Sequence, residues 1–297
     1  MSSFHKSVLL KEVLDSLNVK KGNKYIDATL GGGGHTVGVL KRGGRVLVLD
    51  LDQEAIDYVR DNIKHQISNI KFGEQLVLVK GNFKDIEEIA HLNNFDEVSG
   101  IIFDLGVSSH QLESAERGFS FQKEGPLDMR MDKDLSVKAL DLVNGLTKGE
   151  LYELFTKLGE ERFSRSISNN IIRARGIKSI TTTNELARLI EEVYPRGFKK
   201  INPATKVFQA LRIAVNDELN NLRQALPSAM RILEKNGRLV VISFHSLEDR
   251  IVKNIFNEFE EEKLGVNITK KPVTPTALEI EENPRARSAK LRIFEKN

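Results

Sequence analysis

The strongest constraint on the fold is an alternation of short apolar runs and helix-like segments in the first third of the chain. Four runs of strand length occur there, at residues 24–29, 45–50, 76–79 and 100–103. The run at 45–50 is continuous, as expected for a strand that is buried on both faces. A helix-like segment separates each run from the next. This order predicts a parallel, doubly wound α/β sheet with right-handed crossovers.

An insertion interrupts this alternation. The next buried strand is predicted at residues 238–244, much later than a single crossover requires. The intervening pattern is helical. Thr147 and Thr182 each stand three residues before a glutamate, which predicts two capping boxes. Phe163, Ile167 and Ile171 recur every four residues and mark one face of a helix.

Several boundaries follow from this pattern. One long helix is predicted over 203–222, and the next helix is predicted to end near Lys235, with the Asn-Gly pair at 236–237 as its stop. The last strand, 289–294, is predicted to be antiparallel. The predicted domains are residues 1–110 with 206–297 for the sheet, and residues 111–205 for the inserted helical domain.

Composition restricts the chemistry. The chain has 297 residues, enough for two domains of about 150 residues. It has no cysteine, which excludes disulfides, thiolate nucleophiles and cysteine-ligated metal centres. A net charge of +3 is too small to attract nucleic acid globally, so an RNA partner would need local basic patches. No apolar run reaches the roughly 18 residues of a membrane span, and the N-terminus lacks a secretory pattern, so we expect a cytoplasmic protein.

The first turn between a strand and a helix predicts a nucleotide site. Glycines occupy positions 31–34, and Asp50 ends the next strand, where a carboxylate can accept hydrogen bonds from ribose hydroxyls. The glycines match neither the dinucleotide pattern nor the P-loop pattern, both of which bind phosphates. S-adenosylmethionine (SAM), a nucleoside cofactor without phosphates, therefore suits this loop. The alternative is a tight turn that binds nothing.

Two further strand ends carry candidate residues. Phe83 follows the third predicted strand, where its ring could cover an adenine; its alternative role is core packing. Asp104 follows the fourth strand. Because ligands of doubly wound sheets bind outside the carboxyl ends of the strands, this position places Asp104 at the chemistry. A helix cap or turn former is the alternative for Asp104.

A resemblance to a known family rests on motifs that occur in family order along essentially the whole chain. They are 5–10 (HKSVLL), 25–29 (YIDAT) with 33–36 (GGHT), 104–109 (DLGVSS), 116–121 (ERGFSF), 125–132 (GPLDMRMD), 159–163 (GEERF), 203–205 (PAT) with 208–210 (FQA), 242–250 (ISFHSLEDR) and 282–288 (ENPRARS). The chain thereby resembles the bacterial RsmH/MraW type of ribosomal RNA methyltransferase. Where some members have Gly-Arg-Gly-Gly-His, this chain has four glycines before His35, and we expect a looser turn that still binds.

The resemblance implies a class I, Rossmann-like methyltransferase domain interrupted by a helical domain that recognises RNA. It also implies methylation of the exocyclic N4 of a cytidine in small-subunit (16S) rRNA. The cofactor-binding residues implied by the motifs are Gly33, Gly34, His35, Asp50, Phe83, Asp104 and Gln111. Taken without the motif, His35 would be interpreted as a structural or capping histidine.

Methylation of an amine needs an acceptor for its proton. Asp104 is the candidate catalytic residue, assisted by Ser108 or by backbone carbonyls; contact with the cofactor alone is the alternative. The absence of cysteine excludes the covalent route used for cytosine C5. The target base must leave its stack to reach the methyl group. The candidate stacking partners for the base are Phe119, Phe121 and His245, with packing as the alternative for each. The candidate phosphate contacts are Lys206, Arg285 and Arg287, followed by Arg162, Arg165, Arg173, Arg175, Lys199 and Lys200.

The expected partner is 16S rRNA, within the small ribosomal subunit or free. No membrane partner and no metal centre are predicted, and a homodimer is left open. Two alternatives remain for the function. One is a SAM methyltransferase that acts on another nucleic-acid amine, such as adenine N6. The other is a non-catalytic RNA-binding factor for ribosome assembly, although the intact residues Gly33, Gly34, Asp50 and Asp104 argue against it.

Overall fold

The computed structural model describes residues 7–195 and 202–297. The chain forms two compact units. The sheet unit consists of Met1–Ser108 and Leu219–Asn297, and the helical unit is Ser109–Glu218. Within the described ranges, no helix is both long and apolar enough to cross a bilayer.

Seven strands and thirteen helices are assigned in the described residues. The strands are β1 Lys24–Asp27, β2 Arg45–Asp50, β3 Leu76–Lys80, β4 Val98–Asp104, β5 Leu233–Ser243, β6 Gly265–Asn267 and β7 Lys290–Lys296. The helices are α1 Leu10–Leu17, α2 Gly34–Lys41, α3 Gln53–Gln66, α4 Ile86–Leu92, α5 Ser109–Glu113, α6 Ala139–Gly145, α7 Lys148–Lys157, α8 Ser164–Arg175, α9 Thr183–Glu191, α10 Ala204–Asn216, α11 Glu218–Ile232, α12 Ser246–Glu261 and α13 Ala277–Glu282. Short 3₁₀ helices cover Phe83–Asp85, Ala115–Arg117 and Pro284–Ser288.

The sheet has the strand order β3-β2-β1-β4-β5-β7-β6. Strands β1 to β5 are parallel, and β7 runs antiparallel to both β5 and β6. This order confirms the predicted doubly wound, Rossmann-like sheet and its antiparallel last strand. The order reverses between β1 and β4, so the crevice outside their carboxyl ends is where a ligand is expected.

Burial explains why the central strands could be recognised from sequence. In β2, the side chains from Val46 to Leu49 are fully buried, and in β4 the same holds from Ile101 to Phe103. A strand covered on both faces needs an apolar residue at every position, since neither face meets water. The polar residues of these strands therefore lie at their ends, and the carboxyl ends of β1, β2 and β4 are all aspartates.

The helical unit contains α5 to α10, in agreement with the predicted helical insertion. Both capping boxes form: Thr147 accepts from the Glu150 amide, and Thr182 accepts from the Glu185 amide. Ile167 is fully buried on α8, as the four-residue spacing predicts. The sheet unit resumes at Leu219 and not at the predicted 206, because α10 belongs to the compact helical unit.

The prediction of one helix over 203–222 is wrong. The segment forms α10 and α11, separated by Asp217, whose φ of 51° lies in the left-handed region. A left-handed residue cannot continue a right-handed helix, so the chain changes direction there. The apolar positions continue across this break, which is why the periodicity did not reveal it.

The boundary predicted near Lys235 is also wrong. Helix α11 ends at Ile232, and β5 starts at once, with Leu233 opposite Val98. The pairing then skips to Arg238 opposite Gly100, so residues 234–237 form an irregularity within the strand. Asn236, at φ 61°, supplies the left-handed conformation of this bulge. The Asn-Gly pair was correctly seen as a break, but it interrupts a strand and does not end a helix.

Candidate cofactor and active site

The glycine turn lies between β1 and α2 in the sheet unit. Gly31 and Gly33 have φ values of 50° and 76°, a conformation that glycine adopts without steric cost. At Gly34, which opens α2, a Cβ atom would lie 2.0 Å from the Ser7 hydroxyl oxygen. Gly33 is the N-cap of α2, and glycine has no side chain that could cap the helix, so the amides of the first turn depend on other acceptors. Such a helix start is suited to a ligand with acceptor oxygens.

Asp50 ends β2 with its carboxylate held by the glycine turn. One oxygen accepts a hydrogen bond from the Gly31 amide at 3.2 Å, and the other accepts from the Asp52 amide at 2.8 Å. Burial raises the pKa of Asp50 to about 7, although these two donors act in the opposite direction. Each carboxylate oxygen can accept a further hydrogen bond, so hydroxyl groups such as those of a ribose fit this position.

Phe83 follows β3 in a short 3₁₀ helix, next to the end of β2. The Gly81 amide donates to the Asp50 carbonyl at 2.9 Å, which joins the two strand ends. The Phe83 ring is half-buried and meets the edge of the buried Phe103 ring, with centroids 5.7 Å apart. It therefore has both a packing contact and an accessible part, and the arrangement is compatible with either predicted role.

A set of five polar residues joins the ends of β1 and β4 to the first turn of α2. We call Asp27, Thr29, His35, Thr36 and Asp104 the strand-end network. The Thr36 hydroxyl donates to Asp27 at 2.6 Å, and the Thr29 hydroxyl accepts from the Asp104 amide at 2.6 Å. The imidazole Nε2 of His35 lies 3.4 Å from a carboxylate oxygen of Asp104. The network couples the glycine turn directly to the candidate catalytic residue.

The charged members of this network are deeply placed. His35 is 4% exposed and Asp27 is 1% exposed. Burial by itself would lower the pKa of His35, but the nearby carboxylates of Asp104 and Asp27 outweigh it, so this pKa is raised. Burial raises the pKa of Asp27 to about 6. The imidazole therefore sits in an environment that favours its protonated form.

Three atoms of the network are buried and lack a hydrogen bond to any described residue. They are both ring nitrogens of His35 and the Oδ1 atom of Asp104. Unpaired buried polar atoms are rare in native proteins, and they are explained where a ligand completes the hydrogen bonding. Together with the glycine turn and Asp50, these atoms fit a polar cofactor and a polar substrate group.

Sequence reasoning did not assign roles to Asp27, Thr29 and Thr36. All three lie within the motifs 25–29 and 33–36, so the signal was available. It was missed because the hydrogen bonds that define these roles join different elements, and the sequence does not show which strand ends are neighbours. Thr29, for example, holds Asp104 across 75 positions.

The remaining candidates of the sheet unit have different surroundings. Ser108 is half-buried and is the last residue of the first segment of the sheet unit. His245 is the N-cap of α12 and accepts a hydrogen bond from the Glu248 amide at 3.3 Å; its side chain is 9% exposed. This geometry favours packing over base stacking. Arg285 and Arg287 are both exposed, because the fully buried Ala286 between them anchors the 3₁₀ helix and leaves its neighbours on the surface.

The candidate residues of the helical unit differ in the exposure of their side chains. Gln111 is 4% and Phe119 is 7% exposed, so Phe119 offers no free ring face for stacking. The Phe121 ring packs edge-on against Phe208, with centroids 5.1 Å apart. The Lys206 ammonium is exposed and donates to the Glu160 carbonyl at 2.6 Å.

The additional basic candidates are mostly engaged in contacts of their own. The Arg162 guanidinium lies over the Phe163 ring, Arg173 donates to Asn170, and Arg175 donates to the Val143 carbonyl. Arg165 is exposed on α8. Lys199 and Lys200 lie outside the described residues.

Comparison with known proteins establishes the family. The family model described as "MraW methylase family" matches residues 2–297. The chain belongs to the MraW methylase family. Among its relatives, a Persephonella marina protein named "Ribosomal RNA small subunit methyltransferase H" is 47% identical over 291 residues, covering 97% of this chain and 98% of that protein. A Coprothermobacter proteolyticus protein of the same name is 44% identical over 296 residues, covering 98% and 96%.

Solved structures also align with this MraW methylase family member along nearly its full length. An rRNA methylase of Streptococcus thermophilus aligns with a TM-score of 0.48 at 10% identity, covering 99% of each chain. A Streptococcus mutans protein in complex with SAH aligns with a TM-score of 0.47 at 14% identity, covering 99% of this chain and 100% of that one. The family match confirms the resemblance found in the sequence, whereas the roles of the individual site residues stay predictions.

Proposed function

We propose that this protein transfers the methyl group of SAM to the exocyclic N4 of a cytidine in 16S rRNA. The observation that carries the proposal is the position of Asp104. Its carboxylate stands at the carboxyl end of β4, beside the glycine turn, with its backbone held by Thr29 and its side chain next to His35. The relatives named as small-subunit rRNA methyltransferases support the choice of RNA as substrate.

The cofactor site is proposed to consist of Gly33, Gly34, His35, Asp50, Phe83, Asp104 and Gln111. Bound SAM would supply a sulfonium-activated methyl group. The open helix start at Gly34 and the carboxylate of Asp50 are suited to the polar parts of such a nucleoside, and Phe83 to its purine. This assignment is supported by the hydrogen bond that joins Asp50 to the glycine turn.

The chemical task for the protein is to align the amine and accept its proton. The N4 lone pair of cytosine is delocalised into the ring, so the free amine is a weak nucleophile. An acceptor such as Asp104, placed at the amine, favours the pyramidal form and takes the proton once the nitrogen has been methylated. Acid–base assistance contributes about 10²–10⁴-fold, and alignment of the reactants contributes up to about 7–11 kcal/mol in favourable cases.

RNA contacts are proposed at exposed cations. Arg285 and Arg287 are exposed on the 3₁₀ helix, and Lys206 is half-buried on α10 with its ammonium in an exposed hydrogen bond. All three are suited to phosphates, which position RNA without reading its sequence. The buried states of Phe119 and His245 weaken the idea that either ring stacks on the target base.

The test is transfer of labelled methyl from SAM to small ribosomal subunits and to free 16S rRNA, followed by nucleoside analysis. We expect label in N4-methylcytidine with the wild type, and a decrease in kcat of about 10²–10⁴-fold for Asp104→Asn. Asp57→Asn, at a half-exposed aspartate of α3, is the matched control and should keep full activity.

Three outcomes would contradict the proposal or part of it. Label in N6-methyladenine would establish the alternative nucleic-acid amine as substrate. Absence of label on both RNA substrates, together with tight RNA binding, would favour the assembly-factor alternative. Full activity of Asp104→Asn would remove Asp104 from its role while leaving the reaction in place.

A further inference from the structure

The His35 imidazole lies 3.4 Å from the Asp104 carboxylate at the end of β4 and within electrostatic reach of Asp27 at the end of β1. The two strands are parallel neighbours, with Asp27 opposite Ile102, so the strand ends at Asp27 and Asp104 face the same crevice. His35 belongs to the first turn of α2, which starts at the same edge. A buried imidazole beside two acids is unusual, and the proposed function gives it no task beyond contact with the cofactor.

Separate hydroxyl groups hold the carboxylate of Asp27 and the backbone amide of Asp104. Thr36, the residue after His35, donates to Asp27 and thereby ties α2 to β1. Thr29, two residues after Asp27, accepts from the Asp104 amide and ties β1 to β4. The imidazole is consequently held 3.4 Å from Asp104 by groups that would keep their places if its ring were changed. The contact between His35 and Asp104 can therefore be altered without removing the hydrogen bond of Thr36 to Asp27 or that of Thr29 to Asp104.

The charges within the network require a cation. The side chain of Asp104 is 17% exposed and that of His35 is 4% exposed, so water screens them poorly. The titratable groups that act on His35 are Asp104 on β4 and Asp27 on β1. Asp27 also acts on Asp50 at the end of β2 and raises its pKa. Two acids confined in one site repel each other when both are charged, and a cation beside them relieves this repulsion.

We propose that His35 is a positioning residue for methyl transfer, whose imidazolium keeps Asp104 ionised and aims its Oδ1 atom at the reacting amine. The inference rests on the proposed function. The N4 lone pair forms the new bond to the methyl carbon, and the pair of the breaking carbon–sulfur bond stays on sulfur. The methylated nitrogen then gives its proton to Asp104, and His35 keeps its own proton throughout.

This arrangement suits the chemistry. Once it carries the methyl group and a positive charge, the cytosine amine is a strong acid, so even a weak base can take its proton. What the reaction needs from Asp104 is an ionised and oriented carboxylate at neutral pH. An adjacent imidazolium supplies both conditions, since opposite charge within about 4–6 Å favours the ionised carboxylate.

The first test uses the folded wild-type chain. ¹⁵N-histidine labelling and nuclear magnetic resonance would follow the six histidines through a pH titration, with His35 assigned by its loss in His35→Gln. We expect the pKa of His35 to lie above the ordinary 6.5, and to be about 1–3 pH units lower in Asp104→Asn. A ring that is neutral at pH 6.5, or one that is insensitive to Asp104→Asn, would overturn the proposal.

The second test separates positioning from cofactor contact. In His35→Gln, the acidic limb of the kcat profile should move up by about one pH unit or more, with or without a change in the Kd for SAM. The matched control is His91→Gln, which disrupts an exposed histidine–aspartate pair with Asp96 and should leave the limb in place. A weaker Kd with an unmoved limb would make His35 a cofactor contact only.

The two tests also separate this inference from the proposed function. If wild-type protein methylates no cytidine, the proposed function fails, whereas the histidine titration still reports whether the imidazolium and Asp104 are coupled. If methylation occurs and the titration shows no coupling, only the positioning role fails. Should His35→Gln not fold, as judged by circular dichroism, His35 is assigned by replacing the other five histidines one at a time, and the comparison of wild type with Asp104→Asn then decides.

Discussion

At the scale of single residues, Asp50 links the glycine turn to the proposed cofactor. Its two oxygens each accept one backbone amide, from Gly31 and Asp52, so the carboxylate has a defined orientation before any ligand binds. Burial raises its pKa to about 7. Near neutral pH, Asp50 therefore changes between a neutral acid and a charged acceptor, and hydroxyl donors bind the charged form more strongly.

The affinity for a ribose-bearing ligand should accordingly increase as the pH rises from about 6 to about 8. Methylthioadenosine is the probe, because it carries the ribose hydroxyls and no group that titrates in this range. Asp50→Asn should weaken its Kd roughly tenfold, or ~1.4 kcal/mol, and remove the pH dependence. Titration calorimetry measures both, with Asp57→Asn as the exposed control. A wild-type affinity that is independent of pH would contradict this role.

At the scale of secondary-structure elements, side-chain caps set the starts of helices in the helical unit. Helix α9 begins with a capping box in which Thr182 accepts from the Glu185 amide at 3.2 Å and Glu185 accepts from the Thr182 amide at 3.1 Å. Glu185 also accepts from the Thr181 amide and from Lys178, and these donors lower its pKa to about 2. The box is visible in the sequence because all of its partners are local.

Thr182→Ala should lower the free energy of unfolding by about 1 kcal/mol, since it removes the acceptor for one helix-start amide. Urea denaturation measures the change, and Ser179→Ala, at an exposed serine just before the helix, is the control. The pKa of Glu185 is depressed in the folded state, so its contribution is present above about pH 4.5 and is lost as the pH falls towards 2. An unchanged free energy for Thr182→Ala would contradict the capping role.

At the scale of the whole molecule, one ion-pair cluster joins two distant parts of the sheet unit. Asp249 on α12 accepts from Arg292 at 2.7 Å and from Lys290 at 2.9 Å, both on β7. Arg292 and Asp249 are 5% and 12% exposed. Burial tends to raise the pKa of Asp249, but the two cations outweigh it and hold this pKa below its ordinary value. The cluster fixes the helix that follows β5 onto the neighbouring strand β7.

Asp249→Asn should destabilise the protein by about 3–5 kcal/mol, because it leaves a buried guanidinium without its counter-ion. The free energy of unfolding from denaturant titration gives the value. Glu153→Gln is the control: it breaks an exposed i,i+4 pair with Lys157 and should cost less than about 1 kcal/mol. Equal effects of the two substitutions would show that the cluster behaves as a surface pair.

Local patterns predicted elements wherever the cause of an element is local. Strands β2 and β4 were found because burial on both faces requires an unbroken apolar run, and α7 and α9 because their caps lie three residues away. The break at Asp217 and the bulge at 234–237 were not found. Both contain a residue in the left-handed conformation, Asp217 and Asn236, and apolar periodicity continues unchanged through such points.

The sequence by itself determined the family, the α/β class and the glycine turn, because these depend on residue identity and short-range spacing. Only the tertiary structure decided which polar residues work together. The sheet order places β1 beside β4, and this adjacency brings Asp27, His35 and Asp104 into one buried network. The physical reason is that burial and electrostatic coupling depend on distances between strand ends, and these distances are set by the order of strands in the sheet.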